Sequence, residues 1–106
     1  NYISPRLLLE YLKYAYYHAD IFQSFYEALP IAGIDGTLKS RMKKSKAYKN
    51  VHAKTGTVTG VSSLAGYAKA LNGHQLAFAI INQNVMKSRQ ARTFQDKVCD
   101  ILCTSK

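Results

Sequence analysis

Residues 51–83 read VHAKTGTVTGVSSLAGYAKALNGHQLAFAIINQ, and they carry the clearest structural signal in the chain. Three runs rich in apolar and β-branched residues are predicted to be strands, at residues 51–58, 61–71 and 74–83. Thr59-Gly60 predicts a turn between the first two runs. Asn72-Gly73 is a strong signal for a two-residue hairpin between the last two. The sequence therefore predicts three consecutive antiparallel strands.

The last two predicted strands are apolar on both alternating faces. In the third strand, one face carries Leu76, Phe78 and Ile80, and the other carries Ala77, Ala79 and Ile81. A strand that is apolar on both faces must be covered on both faces. We therefore expect helices on both sides of the sheet.

The first 29 residues have the pattern of a helical hairpin. Ser4 followed by Pro5 is typical of a helix start, with serine as the N-cap and proline in the first turn. Asp20, with Gln23 three residues later, resembles a capping box that would start a second short helix. Pro30 would end that helix. The apolar residues expected on one face of the second helix are Phe22, Phe25 and Leu29.

Residues 30–50 are predicted to form an irregular basic loop. Turns are expected at Gly33, Asp35 and Gly36, and Thr37 is expected to cap one short helical turn. Seven cations then follow without an acidic residue among them, namely Lys39, Arg41, Lys43, Lys44, Lys46, Lys49 and Lys54. We expect this run to be a solvated loop, and it accounts for most of the net charge of +9.

Helical spacing returns at residues 88–104. The apolar face is predicted to contain Ala91, Phe94, Val98 and Ile101 and to pack on the sheet. Cys99 and Cys103 lie four apart in this helix, and no histidine has metal-ligand spacing to them. We therefore expect buried thiols and no metal. The fold class is α+β: a helical hairpin, three antiparallel strands and a C-terminal helix within one domain, residues 1–106.

Length and composition limit the function classes. The chain has 106 residues, of which 47% are apolar, and no apolar run approaches the roughly 18 residues of a membrane-spanning helix. It opens with Asn1 and no signal-like segment, so we expect a piece of a longer protein. The positive charge also allows a small nucleic-acid-binding module, with residues 39–54 contacting phosphates. The tyrosines of the first helix, at helical spacing, are more typical of a core edge than of base stacking.

The amino-acid sequences of two segments are similar to those of a known family. Residues 29–42, LPIAGIDGTLKSRM, and residues 51–83 resemble the class C low-molecular-mass penicillin-binding proteins, the serine-type D-Ala-D-Ala carboxypeptidase/endopeptidase family. The opening residues 1–12, NYISPRLLLEYL, also fit that family. The resemblance implies a fragment of the penicillin-binding-protein/β-lactamase transpeptidase-like fold, with Lys-Thr-Gly as its third signature.

The resemblance assigns roles to four residues of the first strand. Lys54 would be catalytic, its ammonium stabilising the negative charge of acyl transfer. Thr55 would bind the terminal carboxylate of the substrate, and Gly56 would let the substrate approach the backbone. The N–H of Thr57 would be one oxyanion-hole donor and its hydroxyl a second carboxylate contact. Taken alone, a solvated lysine, two β-forming threonines and a bulge glycine would have the same sequence.

The same resemblance says what this chain lacks. The family's nucleophile lies in a Ser-x-x-Lys motif, and a Ser-x-Asn motif supplies a second serine and an asparagine. We expect both from the missing N-terminal part of the parent, and we expect no serine of this chain to be the nucleophile. The chain alone should be inactive. A catalytically dead homologue is an alternative that the upstream sequence would decide.

Partners and location follow from the resemblance as well. The expected ligands are peptidoglycan stem peptides ending in D-Ala-D-Ala, and β-lactams, with no cofactor and no nucleic acid. The parent is expected to be exported to the periplasm or cell envelope. In the family's sheet an N-terminal strand pairs with the far side of the strand at residues 74–83, so this chain is expected to self-associate through that edge. The three histidines suggest no triad, and His52 is expected to be structural, on the face of Lys54.

Overall fold

The computed structural model describes residues 4–58 and 60–105. Within them the order of elements is the predicted one, and the α+β class is confirmed. The elements are α1 (Pro5–Tyr16), α2 (Ala19–Ala28), a 3₁₀ turn (Gly36–Leu38), β1 (Val51–Val58), β2 (Val61–Lys69), β3 (Gln75–Gln83) and α3 (Ser88–Cys103). Thr59 of the predicted Thr59-Gly60 turn lies outside the described residues.

The three strands form one antiparallel sheet in the order β1-β2-β3. In the register of β1 and β2, Lys54 lies opposite Ala65 and Thr57 lies opposite Ser62. In that of β2 and β3, Ala65 lies opposite Ala79. Each strand follows its neighbour directly, as the short connections require.

Helices cover both faces of the sheet, as predicted. On one face, Tyr67 of β2 is almost fully buried against the α1–α2 hairpin, and its hydroxyl donates a 2.6 Å hydrogen bond to the Leu12 carbonyl. Burial raises the pKa of Tyr67 to about 12, so the hydroxyl remains a donor. On the opposite face α3 packs on β2, and this larger core contains Val51, Ala53, Leu64, Ala68, Phe78, Cys99 and Cys103.

The starts of the first two helices differ from each other. Ser4 is the predicted N-cap of α1, since its hydroxyl accepts a hydrogen bond from the Leu7 N–H at 3.0 Å. The capping box predicted for α2 is wrong. Asp20 lies inside the first turn, and the Gln23 amide donates instead to Glu27 at 3.1 Å. The glutamine therefore makes a contact one turn forward along its own helix rather than back to the helix start.

The buried face of α3 was predicted correctly at Ala91 and wrongly at Phe94 and Ile101. Phe94 and Ile101 are 54% and 56% exposed. The buried residues are Ala91, Gln95, Cys99 and Cys103. The helix turns small and polar side chains inward because the sheet beneath it offers hydrogen-bonding partners to Gln95. Both cysteines are buried free thiols, as expected, and burial raises the pKa of Cys99 to about 12.

Two short-range predictions need correction in detail. Thr37 lies inside the 3₁₀ turn, and Asp35 occupies the cap position. The β2–β3 hairpin has a three-residue loop rather than a two-residue one, because the Gly73 N–H donates to Ala70 and the Ala70 N–H donates to His74, both at 2.9 Å. Within Asn72-Gly73 only the glycine has a positive φ, of 85°. This is a type I turn followed by a glycine bulge, which shortens both predicted strands.

Gly66 allows β1 and β2 to pair closely. A Cβ added at this position would lie 2.5 Å from the Ala53 Cα and would overlap the His52 carbonyl oxygen. Both obstacles are backbone atoms of β1, which cannot move without breaking the pairing. The sheet therefore requires glycine here.

We predict that Gly66→Ala lowers the free energy of unfolding by about 3 kcal/mol or more, because the added methyl group collides with a neighbouring strand. Gly73→Ala is the control. It meets nothing within 4 Å and should cost only about 1–2 kcal/mol, from its left-handed backbone. Urea unfolding followed by circular dichroism measures both. Equal losses would show that the strands do not approach as closely as described.

Candidate active site

The outer edge of β1 is only half covered. The Ala32 N–H donates to the Val51 carbonyl and the Ala53 N–H donates to the Pro30 carbonyl, both at 2.9 Å. Backbone groups of successive strand residues point to alternate edges. Thr55 and Thr57 therefore direct their N–H and C=O groups to this same outer edge, beyond the segment at residues 30–32. In the described part of the chain, the Thr57 N–H has no hydrogen-bond partner.

Lys54 places a cation at this open edge. Its side chain is exposed, and its ammonium donates a 2.7 Å hydrogen bond to the Thr55 carbonyl oxygen. That oxygen is one of the outward-pointing groups. The structure therefore brings the ammonium of Lys54 and the outward-pointing backbone groups of Thr55 and Thr57 together at one edge. Their catalytic and binding roles remain predictions.

Thr55 is held by a residue that the sequence did not identify as part of the site. Its hydroxyl donates a 2.9 Å hydrogen bond to the Thr37 hydroxyl, which belongs to the 3₁₀ turn. Thr37 lies in the segment LPIAGIDGTLKSRM, whose resemblance to the family was the available signal. Thr37 therefore joins Thr55 as a candidate carboxylate-binding hydroxyl.

Gly56 keeps the other face of the strand open. A Cβ at this position would lie 2.7 Å from the Ser63 hydroxyl oxygen, and that hydroxyl donates to the Gly56 carbonyl at 3.4 Å. The pairing of β1 with β2 is continuous through Gly56, so the glycine is not a bulge. A side chain here would displace the Ser63 hydroxyl, and the close approach of substrate at Gly56 stays a prediction.

Thr57 also borders a cleft next to the start of α3. This cleft has a volume of about 480 Å³ and is lined by Thr57, Gly60, Val61, Ser62, Val85, Met86 and Ser88. Thr57 and Ser62 are opposite each other in the register of β1 and β2. The end of β1 thus combines an outward-pointing amide with a side chain that faces a cleft.

The basic loop is only partly solvated. The lysines at 39, 43, 44, 46 and 49 are exposed, as predicted. Arg41 is different, because its guanidinium forms an ion pair with Asp96 of α3 at 2.6 Å and donates to Gln95 at 3.1 Å. The N–H of Lys46 also donates to Asp100 at 3.0 Å. These partners lie 54 or 55 residues away in sequence, so local patterns could not reveal them.

Gln95 links α3 to the sheet. It is fully buried, and its amide nitrogen donates to the Ser62 hydroxyl at 3.1 Å and to the Asn82 side-chain oxygen at 3.0 Å. Its amide oxygen accepts from Arg41. A glutamine in an amphipathic pattern is normally placed on the exposed face, which is why the sequence missed it.

Ser40 has a lysine three residues later, Lys43, so one Ser-x-x-Lys spacing does occur in the chain and was missed at the sequence level. The motif needs both residues on one face of a helical turn. Met42 between them has a left-handed φ of 62°, so residues 40–43 do not form such a turn. Ser40 lines a shallow groove with Asp96 and Lys97 on α3. That groove is lined by residues of the basic loop and of α3, and no residue of β1 lines it.

His52 is half-buried beside the site rather than within it. Its ring stacks on Tyr26 with 4.0 Å between centroids, and its Nδ1 has no partner within the described ranges. Burial lowers the pKa of His52 because it disfavours the imidazolium, and Asp35 and a backbone hydrogen bond at Tyr26 oppose this only partly. The folded protein therefore favours neutral His52.

We predict that the free energy of unfolding falls as the pH drops below 6.5, the ordinary pKa of histidine. In that range the unfolded chain binds a proton at residue 52 that the folded chain resists. Urea unfolding at pH 7.5 and 5.5 measures the effect. His52→Phe should reduce the difference, and His74→Gln, at an exposed position, should keep it. An unchanged pH dependence in His52→Phe would refute the assignment.

Residues 4–58 and 60–105 contain no group of three or more potential metal ligands. Among the helices described above, none has the length and apolar character needed to cross a membrane.

Comparisons with known proteins agree with this architecture. Residues 1–104 match the model of the D-Ala-D-Ala carboxypeptidase 3 (S13) family. The chain is 38% identical over 80 residues to D-alanyl-D-alanine carboxypeptidase DacB of Haemophilus influenzae, a match covering 74% of this chain and 16% of that protein. It is 45% identical over 65 residues to the D-alanyl-D-alanine carboxypeptidase of an Actinomadura species, covering 57% of this chain and 12% of that protein.

Solved structures show the same fold. The crystal structure of penicillin binding protein 4 (dacB) from Haemophilus influenzae superposes with a TM-score of 0.84 and 30% identity, over 97% of this chain and 25% of that one. A second structure of that protein, complexed with a β-lactam, gives a TM-score of 0.83 over 26% of its chain. The chain thus spans a quarter or less of the length of its relatives in most of these comparisons.

Proposed function

The chain belongs to the D-Ala-D-Ala carboxypeptidase 3 (S13) family, and on this premise we propose that it is the substrate-edge part of a serine-type D-Ala-D-Ala carboxypeptidase. The observation that carries the proposal is the open edge of β1. There the Lys54 ammonium lies 2.7 Å from the outward-pointing carbonyl of Thr55, and the outward N–H of Thr57 follows on the same edge.

The substrate would bind along this edge as an added strand. An extended peptide can pair with the outward N–H and C=O groups of Thr55 and Thr57, as in β-strand addition. A stem peptide ending in D-Ala-D-Ala has a terminal carboxylate, and the hydroxyls of Thr55 and Thr57 are its proposed partners. Thr55 would turn its one hydroxyl proton from Thr37 to the carboxylate. Lys54 supplies the positive charge that favours an anionic ligand at this edge.

The reaction would be acyl transfer through an acyl-enzyme. A serine from another part of the parent attacks the D-Ala-D-Ala peptide carbonyl, and the Thr57 N–H donates to the oxygen on which negative charge develops. The bond to the terminal D-Ala then breaks, and that residue leaves as the free amine. Water hydrolyses the acyl-enzyme ester. A β-lactam would be held at the acyl stage. The β-lactam complex of the similar Haemophilus protein supports β-lactam binding.

The location of the parent follows from the proposed substrate. Peptidoglycan lies outside the inner membrane, so we propose that the parent works in the periplasm or cell envelope. The nucleic-acid alternative is not retained, since the relatives above are carboxypeptidases.

We predict that Lys54→Ala slows labelling of the full-length parent by a fluorescent penicillin about 10²–10³-fold, as expected for loss of one group that stabilises the transition state. Lys69→Ala, an exposed lysine at the end of β2, is the matched control and should label normally. Residues 1–106 alone should take no label, because Ser40 is not placed to react. Normal labelling of Lys54→Ala would remove Lys54 from its proposed role.

The outer edge of β3 has a separate consequence. Within the described strands, no neighbour pairs with it, and its sequence QLAFAIINQ contains no charged residue to prevent edge pairing. Long uncharged edges promote association. We propose that the missing N-terminal part of the parent covers this edge, and that residues 1–106 alone associate through it.

We predict an oligomer of residues 1–106 by light scattering, and a shift to monomer in Ala79→Pro. Ala79 points its N–H outward from β3, so proline removes an edge donor without removing a bond to β2. Ala79→Val keeps the donor and should still associate. A monomeric wild-type chain, with β3 amides protected from hydrogen exchange on both edges, would contradict the proposal.

A further inference from the structure

We propose that Gln95 is a positioning residue for Thr57. It holds Ser62, the register partner of Thr57, and so fixes the end of β1 where the oxyanion-binding N–H lies. This inference rests on the proposed function, because the residue that Gln95 positions is assigned there.

The orientation of the Gln95 amide is determined by its neighbours. Arg41 has only donor groups, so the atom of Gln95 that faces it at 3.1 Å must be the oxygen. Both N–H groups of the amide then face the sheet, where they meet the Ser62 hydroxyl oxygen and the Asn82 side-chain oxygen. The buried amide has a partner for each polar group, so it can adopt one orientation only.

The ion pair of Arg41 keeps this orientation in place. The Arg41 guanidinium donates to Asp96 through two nitrogens, at 3.0 Å and 2.6 Å, and it also donates to the Arg92 carbonyl at 3.3 Å. The guanidinium is therefore held by three residues of α3, one of which is Gln95. Rotation of the Gln95 amide would place its N–H groups against a cation, which is strongly unfavourable.

Ser62 connects the Gln95 amide to Thr57. Ser62 and Thr57 form the kind of antiparallel pair that has no direct backbone hydrogen bonds, and such pairs have Cα atoms only about 4.5 Å apart. Both side chains point to the α3 face and line the same cleft. Because the backbone groups of Thr57 point away from β2, the packing of this pair contributes to its position, together with the flanking ladder pairs Gly56–Ser63 and Val58–Val61.

The alternative is that Gln95 only stabilises the fold. Gln95→Leu would leave the buried Ser62 hydroxyl and the Asn82 side-chain oxygen without their donor, which lowers stability under either explanation. A loss of stability alone therefore does not identify a positioning role. The two explanations differ in what they predict for the acylation rate.

The test uses the full-length parent and measures the second-order rate of acylation by penicillin together with urea unfolding. Gln95→Leu and Ser62→Ala should each slow acylation about tenfold or more, because small displacements of reacting groups have large effects on rate. The double variant should be no slower than the slower single one, because both changes interrupt the same connection. With a D-Ala-D-Ala peptide, kcat should fall while KM changes little.

Cys99→Ala is the matched control. Cys99 is buried one turn further along α3 and belongs to the apolar core rather than to the Gln95 contacts. It should lower stability and leave the acylation rate unchanged. Acylation in Gln95→Leu and Ser62→Ala equal to that in Cys99→Ala would overturn the positioning role. Failure of the proposed function is distinguishable, since it would show as normal labelling of Lys54→Ala.

Discussion

The early end of backbone pairing on the outer edge of β1 is the constraint on which the rest of the structure depends. The segment at residues 30–32 runs antiparallel to β1, with Ile31 opposite His52. Continued pairing toward Thr55 would therefore need residues 28 and 29, but α2 ends at Ala28 and Leu29 is its C-cap. The backbone of β1 beyond Ala53 is thus left without a strand partner on this edge.

The residues around this edge leave the β1 backbone unpaired and also hold it in one position. The 3₁₀ turn reaches Thr55 only through a hydroxyl, so the backbone of β1 remains accessible. Gly56 adds no side chain on the hairpin face. On the other face, Arg41 and Gln95 connect the basic loop and α3 to the sheet behind Thr57. An edge that is unpaired but rigid is what preorganised binding of a developing charge requires.

The sequence predicted this fold well wherever the signal was local. β1 was predicted with the observed bounds because a run of β-forming residues ends at turn residues on both sides. The Ser4 cap and the burial of the two cysteines followed from equally local rules. The candidate site could be placed on residues 54–57 because the Lys-Thr-Gly motif lies in a predicted strand. The solved structure of the Haemophilus relative has the same fold.

The errors occurred where a distant partner determined the outcome. Gln95 is buried because Ser62 and Asn82 accept its hydrogen bonds, and neither is near it in sequence. That burial rotates α3 and leaves Phe94 exposed. Arg41 was assigned to a solvated run because Asp96 could not be paired with it by spacing. The hairpin at residues 70–74 lies where it was predicted, but its turn type differs from the prediction. The backbone of Asn72 does not adopt the left-handed conformation that a two-residue loop needs.

A crystal structure of the full-length parent acylated by a β-lactam is the most direct test of the open edge. We expect the carbonyl oxygen of the acyl group to lie about 2.7–3.1 Å from the Thr57 nitrogen, the range for an oxyanion-hole donor, with the Lys54 ammonium beside the ligand. An acyl oxygen directed elsewhere, or a Thr57 N–H already bonded to another strand of the parent, would contradict this account.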